Sequence, residues 1–210
     1  MTPVARLAHR EHGPEDGPVA LLLHGYPESS FMWRDLMPAI ADAGWRAIAP
    51  DLAGFGDSEP DPPGTWERHM EAVERFRREL GIERCVLVVH DWGGLIGLRW
   101  ACEHPEAVEA LVISSTGFFA DGMYRSGDFE KLAGYRLAEL AVPALLVWGE
   151  KDEFAPVAGA HRFERELPDT ELGVIDDAGH FVWEDAPERC AEAATAFLNR
   201  VPGSSWPQTG

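Results

Sequence analysis

Asp91 combines a reactive carboxylate with a turn that can expose it. It closes a segment that begins with the apolar run 85–89, and Gly93 and Gly94 follow just after Trp92. Glycines at this spacing let a strand turn sharply into a helix that packs close to it. The turn would present the carboxylate above a sheet, beside the positive end of the helix. The pattern predicts a carboxylate nucleophile; a simple helix N-cap is the alternative.

His180 and Asp152 have the types and positions of a general base and its supporting acid. His180 follows a glycine after the last apolar run, and Asp152 follows the run 144–148. A carboxylate behind an imidazole fixes its tautomer and stabilises the imidazolium that forms when it accepts a proton. The chain order of nucleophile, acid and base also fits a nucleophile on a strand-to-helix turn. Glu150 and Glu153 are alternatives to Asp152 by proximity.

The other histidines are expected in structural or surface positions. His90 directly precedes the predicted nucleophile and should point the opposite way, into the fold. His24 is expected to hold its own loop by hydrogen bonds. The histidines expected at the surface are His9, His12, His69, His104 and His161.

A second loop can supply hydrogen-bond donors to the same site. The segment His24-Gly25-Tyr26-Pro27 follows the first long apolar run. In a sheet of this kind, the backbone N–H groups of Tyr26 and Trp92 can point at one oxygen and stabilise negative charge on it. Tyr26 and Trp92 are therefore the predicted oxyanion donors, with an ordinary turn at a strand end as the alternative.

Short apolar runs alternate with amphipathic stretches along the chain, and this order predicts the elements that position these residues. Alternating strands and helices indicate an α/β fold, with a mostly parallel, doubly wound sheet and helices on both faces. Ligands bind such sheets at the carboxyl ends of the strands, where all the candidate residues lie. We predict a single core domain over residues 1–201 and a flexible tail over 202–210. The predicted strands are 19–23, 46–49, 85–89, 110–114, 144–148 and 172–175, and the predicted helices are 31–43, 66–80, 94–103, 157–167 and 188–200.

The charge balance restricts the class of partner. The chain has 36 acidic and 18 basic residues, a formal net charge of −18. Such a surface repels phosphate backbones and anionic lipids. We therefore expect a small neutral organic substrate and water as partners, with no nucleic acid and no membrane.

Cysteine usage and the lack of a long apolar segment predict a cytoplasmic protein. Cys85, Cys102 and Cys190 are odd in number and far apart, which favours free thiols over disulfides. No His or Cys pair stands at metal-ligand spacing, and no Gly-x-Gly-x-x-Gly follows a strand. We expect no metal and no cofactor; the sequence leaves the oligomeric state open.

Four motifs together resemble one branch of a known family. They are His-Gly-Tyr-Pro-Glu-Ser-Ser from residue 24, Asp-Leu-Ala-Gly-Phe-Gly-Asp-Ser from 51, His-Asp-Trp-Gly-Gly-Leu-Ile-Gly-Leu-Arg from 90 and Ala-Gly-His-Phe-Val-Trp-Glu-Asp-Ala-Pro-Glu from 178. They are similar to motifs of the haloalkane dehalogenase and epoxide hydrolase branch of the α/β-hydrolases. The resemblance implies a triad of Asp91, Asp152 and His180, and a Trp92 indole N–H that donates to a departing halide.

The type of nucleophile also restricts the electrophile. A carboxylate that attacks an ester gives an anhydride, which is uphill, whereas attack on a saturated carbon with a leaving group gives an ordinary ester. An alkyl halide or an epoxide is therefore expected, and His180 would activate the water that hydrolyses the ester. The sequence most favours a haloalkane dehalogenase-like hydrolase. An epoxide hydrolase and an inactive, binding-only relative are the alternatives.

The dehalogenase and epoxide hydrolase alternatives differ in the leaving group, and both depend on a lid that is short in this chain. An epoxide oxygen needs a proton donor, which lid tyrosines supply in epoxide hydrolases; Tyr124 and Tyr135 lie in the corresponding region, where simple packing is the alternative. The family usually carries a helical cap there, but residues 117–142 form only a short, vestigial lid segment. We therefore predict a shallow, open cleft, with low activity or a bulky substrate.

Overall fold

The computed structural model describes residues 4–118 and 135–201, and within them seven strands form one sheet. The strands are β1 (His9–His12), β2 (Val19–Leu23), β3 (Arg46–Pro50), β4 (Cys85–His90), β5 (Val108–Ser114), β6 (Ala144–Gly149) and β7 (Thr170–Ile175). Their order is β1-β3-β2-β4-β5-β6-β7, so β4 has three strands on either side. β1 runs antiparallel to β3, and all the other pairs are parallel.

Helices cover both faces of this sheet. The α-helices of the described residues are α1 (Leu36–Asp42), α2 (Trp66–Glu79), α3 (Trp92–Glu103), α4 (Ala158–Glu166), α5 (Val182–Asp185) and α6 (Pro187–Leu198). Short 3-10 helices lie at Ser30–Arg34, Pro105–Ala107 and Leu137–Glu139.

The position of β4 at the centre of the sheet explains why its sequence is continuously apolar. Leu87 and Val89 of β4 pack in one core cluster, with side chains of α2, α3 and α4. Val86 and Val88 point to the other face and pack with α1, α5 and α6. Successive side chains of a strand alternate between faces, so a strand that is covered on both sides needs apolar residues throughout. The predicted doubly wound α/β fold is confirmed.

The predicted helix over 31–43 is divided into two pieces. A 3-10 helix covers Ser30–Arg34, and α1 begins only at Leu36. Pro38 lies in the first turn of α1, where its missing N–H is tolerated. In one continuous α-helix from residue 31, its ring would clash with the carbonyl of Arg34.

The sequence did not predict the strand β1 or the buried position of His69, because their residue types are polar. β1 is an edge strand whose four residues are all exposed, so it has no hydrophobic pattern and was not predicted. The prediction that His69 lies at the surface is wrong, because it is only 7% exposed on α2. His69 shares the apolar face of α2 with Val73 and Phe76.

The predicted lid segment lies in the chain between two strands that are neighbours in the sheet. β5 and β6 pair directly, with Ile113 opposite Leu146. Most of the predicted lid, including Tyr124, lies outside the described residues, as does the predicted tail over 202–210. The shallow cleft therefore stays a prediction. Within the described ranges, no helix is both long and apolar enough to span a bilayer.

Candidate active site

The turn between β4 and α3 presents Asp91 in a strained backbone conformation. Its φ is 47° and ψ is −117°, a region that non-glycine residues rarely adopt. The Asp91 side chain makes no capping hydrogen bond to α3, which disfavours the simple N-cap alternative. The Thr116 hydroxyl donates to the Asp91 carbonyl oxygen over 2.6 Å and fixes the turn from the β5 side.

Two glycines allow the close approaches that the turn requires. A Cβ atom on Gly93 would lie 2.1 Å from the carbonyl oxygen of Leu23, so only glycine lets α3 begin this close to β2. A Cβ atom on Gly25 would lie 2.5 Å from the Cβ of Asp91. The loop after β2 is therefore pressed directly against the candidate nucleophile.

The predicted oxyanion donors hold the Asp91 carboxylate. The Tyr26 N–H donates to Asp91 Oδ1 over 2.8 Å, and the Trp92 N–H helps to lower the pKa of the carboxylate. His24 supports this loop from within the fold: its Nε2 accepts from the Leu52 N–H at 2.9 Å, and its Nδ1 lies 2.8 Å from the Gly25 carbonyl oxygen. His24 thus has the structural position that the sequence predicts.

His180 lies between two carboxylates. Its Nε2 is 3.5 Å from Asp91 Oδ2, and its Nδ1 is 3.0 Å from Asp152 Oδ2. Asp152 is fixed in turn, because its Oδ1 accepts the N–H groups of Phe154 and Ala155 at 2.9 and 2.8 Å. The rival acids Glu150 and Glu153 are exposed, whereas Asp152 is buried. The structure therefore brings together the three residues predicted to form the triad.

Asp91, Asp152 and His180 each favour the charged form of their neighbours. Burial lowers the pKa of His180, but hydrogen bonds to Asp152 and Asp91 outweigh burial and raise it to about 9. Burial raises the pKa of Asp91, yet His180 and the N–H groups of Tyr26 and Trp92 bring it below its ordinary value. At neutral pH, an imidazolium therefore lies between two carboxylates.

A second acid and a second imidazole lie behind this group, and sequence reasoning missed their pairing. Glu28 Oε2 lies 3.8 Å from His90 Nε2, and both atoms are buried without a hydrogen-bond partner among the described residues. Burial raises the pKa of Glu28 to about 7, with further contributions from Glu184 and Asp91, whereas burial lowers the pKa of His90 to about 3.

Hydrogen bonds at Ser114 fix the tautomer of His90. The Ser114 hydroxyl donates its proton to the Val89 carbonyl oxygen at 3.0 Å and accepts from Trp183 Nε1 at 2.7 Å. His90 Nδ1, 3.2 Å from the same oxygen, must therefore donate, which leaves a lone pair on His90 Nε2. That lone pair faces Glu28, so a protonated Glu28 is its matching donor.

Aromatic rings surround the Trp92 side of the site. The Trp92 indole contacts the rings of Tyr26, Phe55 and Trp66, with centroids 5.1, 6.1 and 5.4 Å away. In the part of the chain that the structure describes, no group of three or more His, Cys, Asp or Glu side chains is arranged to hold a metal ion.

Comparison with known proteins identifies the family. The family model described as alpha/beta hydrolase fold matches residues 18–123 and 117–187, and the two matches meet within the predicted short lid. A thermophilic esterase from Thermogutta terrifontis has the same fold, with a TM-score of 0.81 and 22% identity over 93% of both chains.

Curated relatives include enzymes of both predicted types. A haloalkane dehalogenase from Mycobacterium marinum is 44% identical over 119 residues, which are 54% of this chain and 39% of the relative. A bifunctional epoxide hydrolase 2 from Sus scrofa is 39% identical over 122 residues, 56% of this chain and 21% of the relative. The chain thus spans less than half the length of these two relatives.

One relative matches from end to end. A cis-3-alkyl-4-alkyloxetan-2-one decarboxylase from Xanthomonas campestris pv. campestris is 27% identical over 286 aligned positions, covering 96% of this chain and 95% of the relative. The alignment is longer than the chain of 210 residues, so the relative has segments with no counterpart here. The predicted resemblance is confirmed: the chain belongs to the alpha/beta hydrolase fold family and is related to its haloalkane dehalogenases and epoxide hydrolases.

Proposed function

We propose that the protein hydrolyses carbon–halogen bonds through an ester on Asp91. One observation carries this proposal: the two carboxylate oxygens of Asp91 have different surroundings. Oδ1 accepts the Tyr26 N–H at 2.8 Å, whereas Oδ2 faces His180 Nε2 at 3.5 Å. Oδ1 is therefore positioned to become the ester carbonyl oxygen, and Oδ2 to form the new bond to carbon.

In the first step, Asp91 Oδ2 attacks the carbon that bears the halogen. The C–O bond forms as the carbon–halogen bond breaks, and the halide leaves with the bonding electron pair. Asp91 needs no deprotonation for this attack, because its lowered pKa keeps it ionised at neutral pH. The Trp92 indole N–H, assigned by family resemblance, would donate to the departing halide.

Ester formation then prepares the second step. It removes the charge of Asp91 and with it one of the two carboxylates that raise the pKa of His180. His180 can then release its proton to solvent and accept one from water as that water attacks the Asp91 carbonyl carbon. The oxyanion forms on Oδ1, between the Tyr26 and Trp92 N–H groups. Collapse expels the alkoxide, which takes the proton of the new carboxyl group, so the products are alcohol, halide and one proton.

Epoxide hydrolysis is less well supported by the described residues. The Tyr135 hydroxyl donates to Glu103 Oε1 at 2.6 Å. Glu103 ends α3, about 16 Å along the helix axis from its start beside Asp91. This contact favours a packing role for Tyr135 over a role in opening an epoxide.

A second candidate substrate is a four-membered lactone. The end-to-end relative is named for decarboxylation of an oxetan-2-one, and its alignment covers nearly all of both chains. Its product would differ from that of a halide, since loss of carbon dioxide leaves an alkene.

Intact-mass measurement on a His180→Gln variant tests these alternatives. We expect the variant to accumulate one butyl group after incubation with 1-bromobutane, because water activation is lost while attack by Asp91 remains. Peptide mapping should place the group on Asp91. An adduct from 1,2-epoxybutane, or alkene and carbon dioxide from a dialkyl oxetan-2-one with the wild type, would favour the other two substrates.

Two control variants make the result decisive. His161→Gln replaces an exposed histidine and should leave no adduct, and the double variant Asp91→Asn/His180→Gln should be unreactive. If no electrophile modifies His180→Gln, the proposal is wrong and the binding-only alternative gains support.

A further inference from the structure

The loop that carries His180 is attached to the loop that carries Asp152. The Lys151 N–H donates to the Ala178 carbonyl oxygen at 2.9 Å, and the Lys151 ammonium forms an ion pair with Asp177. The candidate acid and base are therefore carried by two loops that are bonded to each other.

Gly149, the last residue of β6, lets the backbone before His180 approach this strand closely. A Cβ atom on Gly149 would lie 2.1 Å from the Gly179 carbonyl oxygen and 2.5 Å from the Ala178 carbonyl oxygen. Both are backbone atoms, so neither can rotate away as the end of a flexible side chain can. The backbone that leads into His180 is thus packed directly against the end of β6.

Asp185, the last residue of α5, holds the same backbone from the other side in sequence. Its Oδ2 accepts the Gly179 N–H at 2.8 Å, and its own N–H donates to the Phe181 carbonyl oxygen at 2.9 Å. A hydrogen bond to an ionised acceptor is stronger than one between neutral groups. Both residues that flank His180 are therefore bonded to Asp185.

Asp185 acts on the backbone of this loop, whereas other carboxylates contact the imidazole. The largest contributions that raise the pKa of His180 are its hydrogen bonds to Asp152 and Asp91. Asp185 is exposed, while Asp152 is buried. The role of Asp185 is therefore to be sought in the position of His180 and not in its charge.

The contacts of the imidazole make its position critical. Its Nδ1 is 3.0 Å from Asp152 Oδ2 while its Nε2 is 3.5 Å from Asp91 Oδ2, so the ring must meet two carboxylates at once. A displacement of about 1 Å at a reacting group can lower a rate by roughly 100-fold.

We propose that Asp185 is a positioning residue for the general base: by accepting the Gly179 N–H, it keeps the His180 imidazole between Asp91 and Asp152. The proposal rests on the proposed function for the identity of the reaction. His180 activates the water of the second step, and Asp91 attacks the halide without its help. Asp185 therefore affects hydrolysis of the Asp91 ester and not its formation.

A time course of Asp185→Ala with 1-bromobutane separates the two steps. Rapid quenching and intact-mass measurement give the fraction of alkylated protein, and halide release gives the rates. We expect ester formation within about twofold of the wild type and ester hydrolysis slower by about ten- to hundredfold, so that the butyl ester accumulates. Asp185→Asn keeps an oxygen acceptor without the charge and should restore most of the hydrolysis rate.

Glu184→Ala is the matched control. Glu184 is the neighbouring exposed acid of α5, and its carboxylate accepts from Arg34 at 2.6 Å instead of from the His180 loop. Both rates should stay unchanged in this variant. Equal slowing of the two steps in Asp185→Ala, no recovery in Asp185→Asn, or the same loss in Glu184→Ala would overturn the proposal.

NMR titration of His180 measures the position of the imidazole without any substrate. Its pKa of about 9 depends on the contacts with Asp152 and Asp91, so it should fall in Asp185→Ala and stay near 9 in Asp185→Asn. An unchanged pKa in Asp185→Ala would count against the positioning role. If the wild type releases no halide, the proposed function fails, while these pKa values still decide the role of Asp185.

Discussion

Asp51 and Asp91 follow the two strands that flank β2, yet their carboxylates have different surroundings. Asp51 Oδ1 accepts the Ser30 N–H at 2.7 Å, and its Oδ2 accepts the Asp57 N–H at 2.9 Å. Asp91 has a backbone donor on Oδ1, but its Oδ2 faces His180 at 3.5 Å. Both oxygens of Asp51 are therefore committed to the backbone, whereas Asp91 keeps one oxygen for a group that can move a proton.

The backbone conformation also differs between the two residues, because Asp91 is strained and Asp51 is not. Among non-glycine residues of the described chain, Asp91 is one of a few with positive φ, and Asp51 is not. Strain is retained where it positions a reactive group, while a structural carboxylate can relax into its donors. The comparison separates an aspartate that stabilises loops from the proposed nucleophile.

The largest expected difference between the two aspartates is in activity after each is replaced by asparagine. Asp91→Asn removes the attacking oxygen, so we expect halide release to fall by about 10⁴-fold or more. Asp51→Asn should retain most of the activity per folded molecule. Halide release is measured at saturating bromoalkane, and intact mass verifies that the new amide persists. Similar losses in both variants would contradict the assigned difference.

The second prediction concerns the proton on His180. Because Asp91 helps to raise the pKa of His180 to about 9, Asp91→Asn should bring that pKa down toward 6.5. The stabilisation from His180 in the wild type is complete below pH 6.5 and is lost as the pH rises through 9. NMR titration of the imidazole measures the pKa, and Asp51→Asn should leave it unchanged. A pKa that stays near 9 in Asp91→Asn would exclude the coupling.

The third prediction concerns the free energy of unfolding, where Asp51→Asn should have a larger effect than Asp91→Asn. Asp51→Asn should lower the free energy of unfolding by about 1–3 kcal/mol, because an amide NH₂ would face one of the two backbone donors that the carboxylate accepts. Urea denaturation at about pH 10, where His180 is neutral in every variant and its pKa no longer contributes, measures this effect. Since Asp91 has only one oxygen held by the loop after β2, Asp91→Asn should cost less. A larger loss in Asp91→Asn would mean that Asp91 also has a major structural role.

The smallest expected effect is at Glu28. Its pKa is raised from 4.5 to about 7, so the fold favours its neutral form and loses this stability as pH rises from 4.5 through 7. Glu28→Gln imitates the neutral acid and should flatten this part of the stability curve. The loss of unfolding free energy at pH 5 should be smaller than that of Asp51→Asn. Thermal unfolding from pH 4.5 to 8 measures the curve, and an unchanged slope would contradict a buried, protonated Glu28.

The strands at the centre of the sheet were predictable because burial on both faces leaves continuous apolar runs. All six residues of β4 are buried, and the sequence there is apolar up to His90. β1 could not be predicted in this way, because an exposed edge strand pairs on one side only and needs no apolar face. His69 was misplaced because its polar type outweighed its position on the apolar face of α2.

The candidate site was predictable where residues directly follow strands. The loops after parallel strands meet at one edge of the sheet, which is why Asp91, Asp152 and His180 come together although 89 positions separate the first from the last. The contact between Glu28 and His90 was not predictable, because it depends on which polar atoms are buried without partners. No local pattern in the sequence reports that.

The adjacency of β5 and β6 has a consequence for how such a protein can diversify. With Ile113 opposite Leu146, the chain leaves and re-enters the sheet at neighbouring points. A segment that connects neighbouring strands can be replaced by a longer or shorter one without shifting the register of any strand. A larger segment grafted between β5 and β6 should therefore leave the positions of Asp91, Asp152 and His180 unchanged.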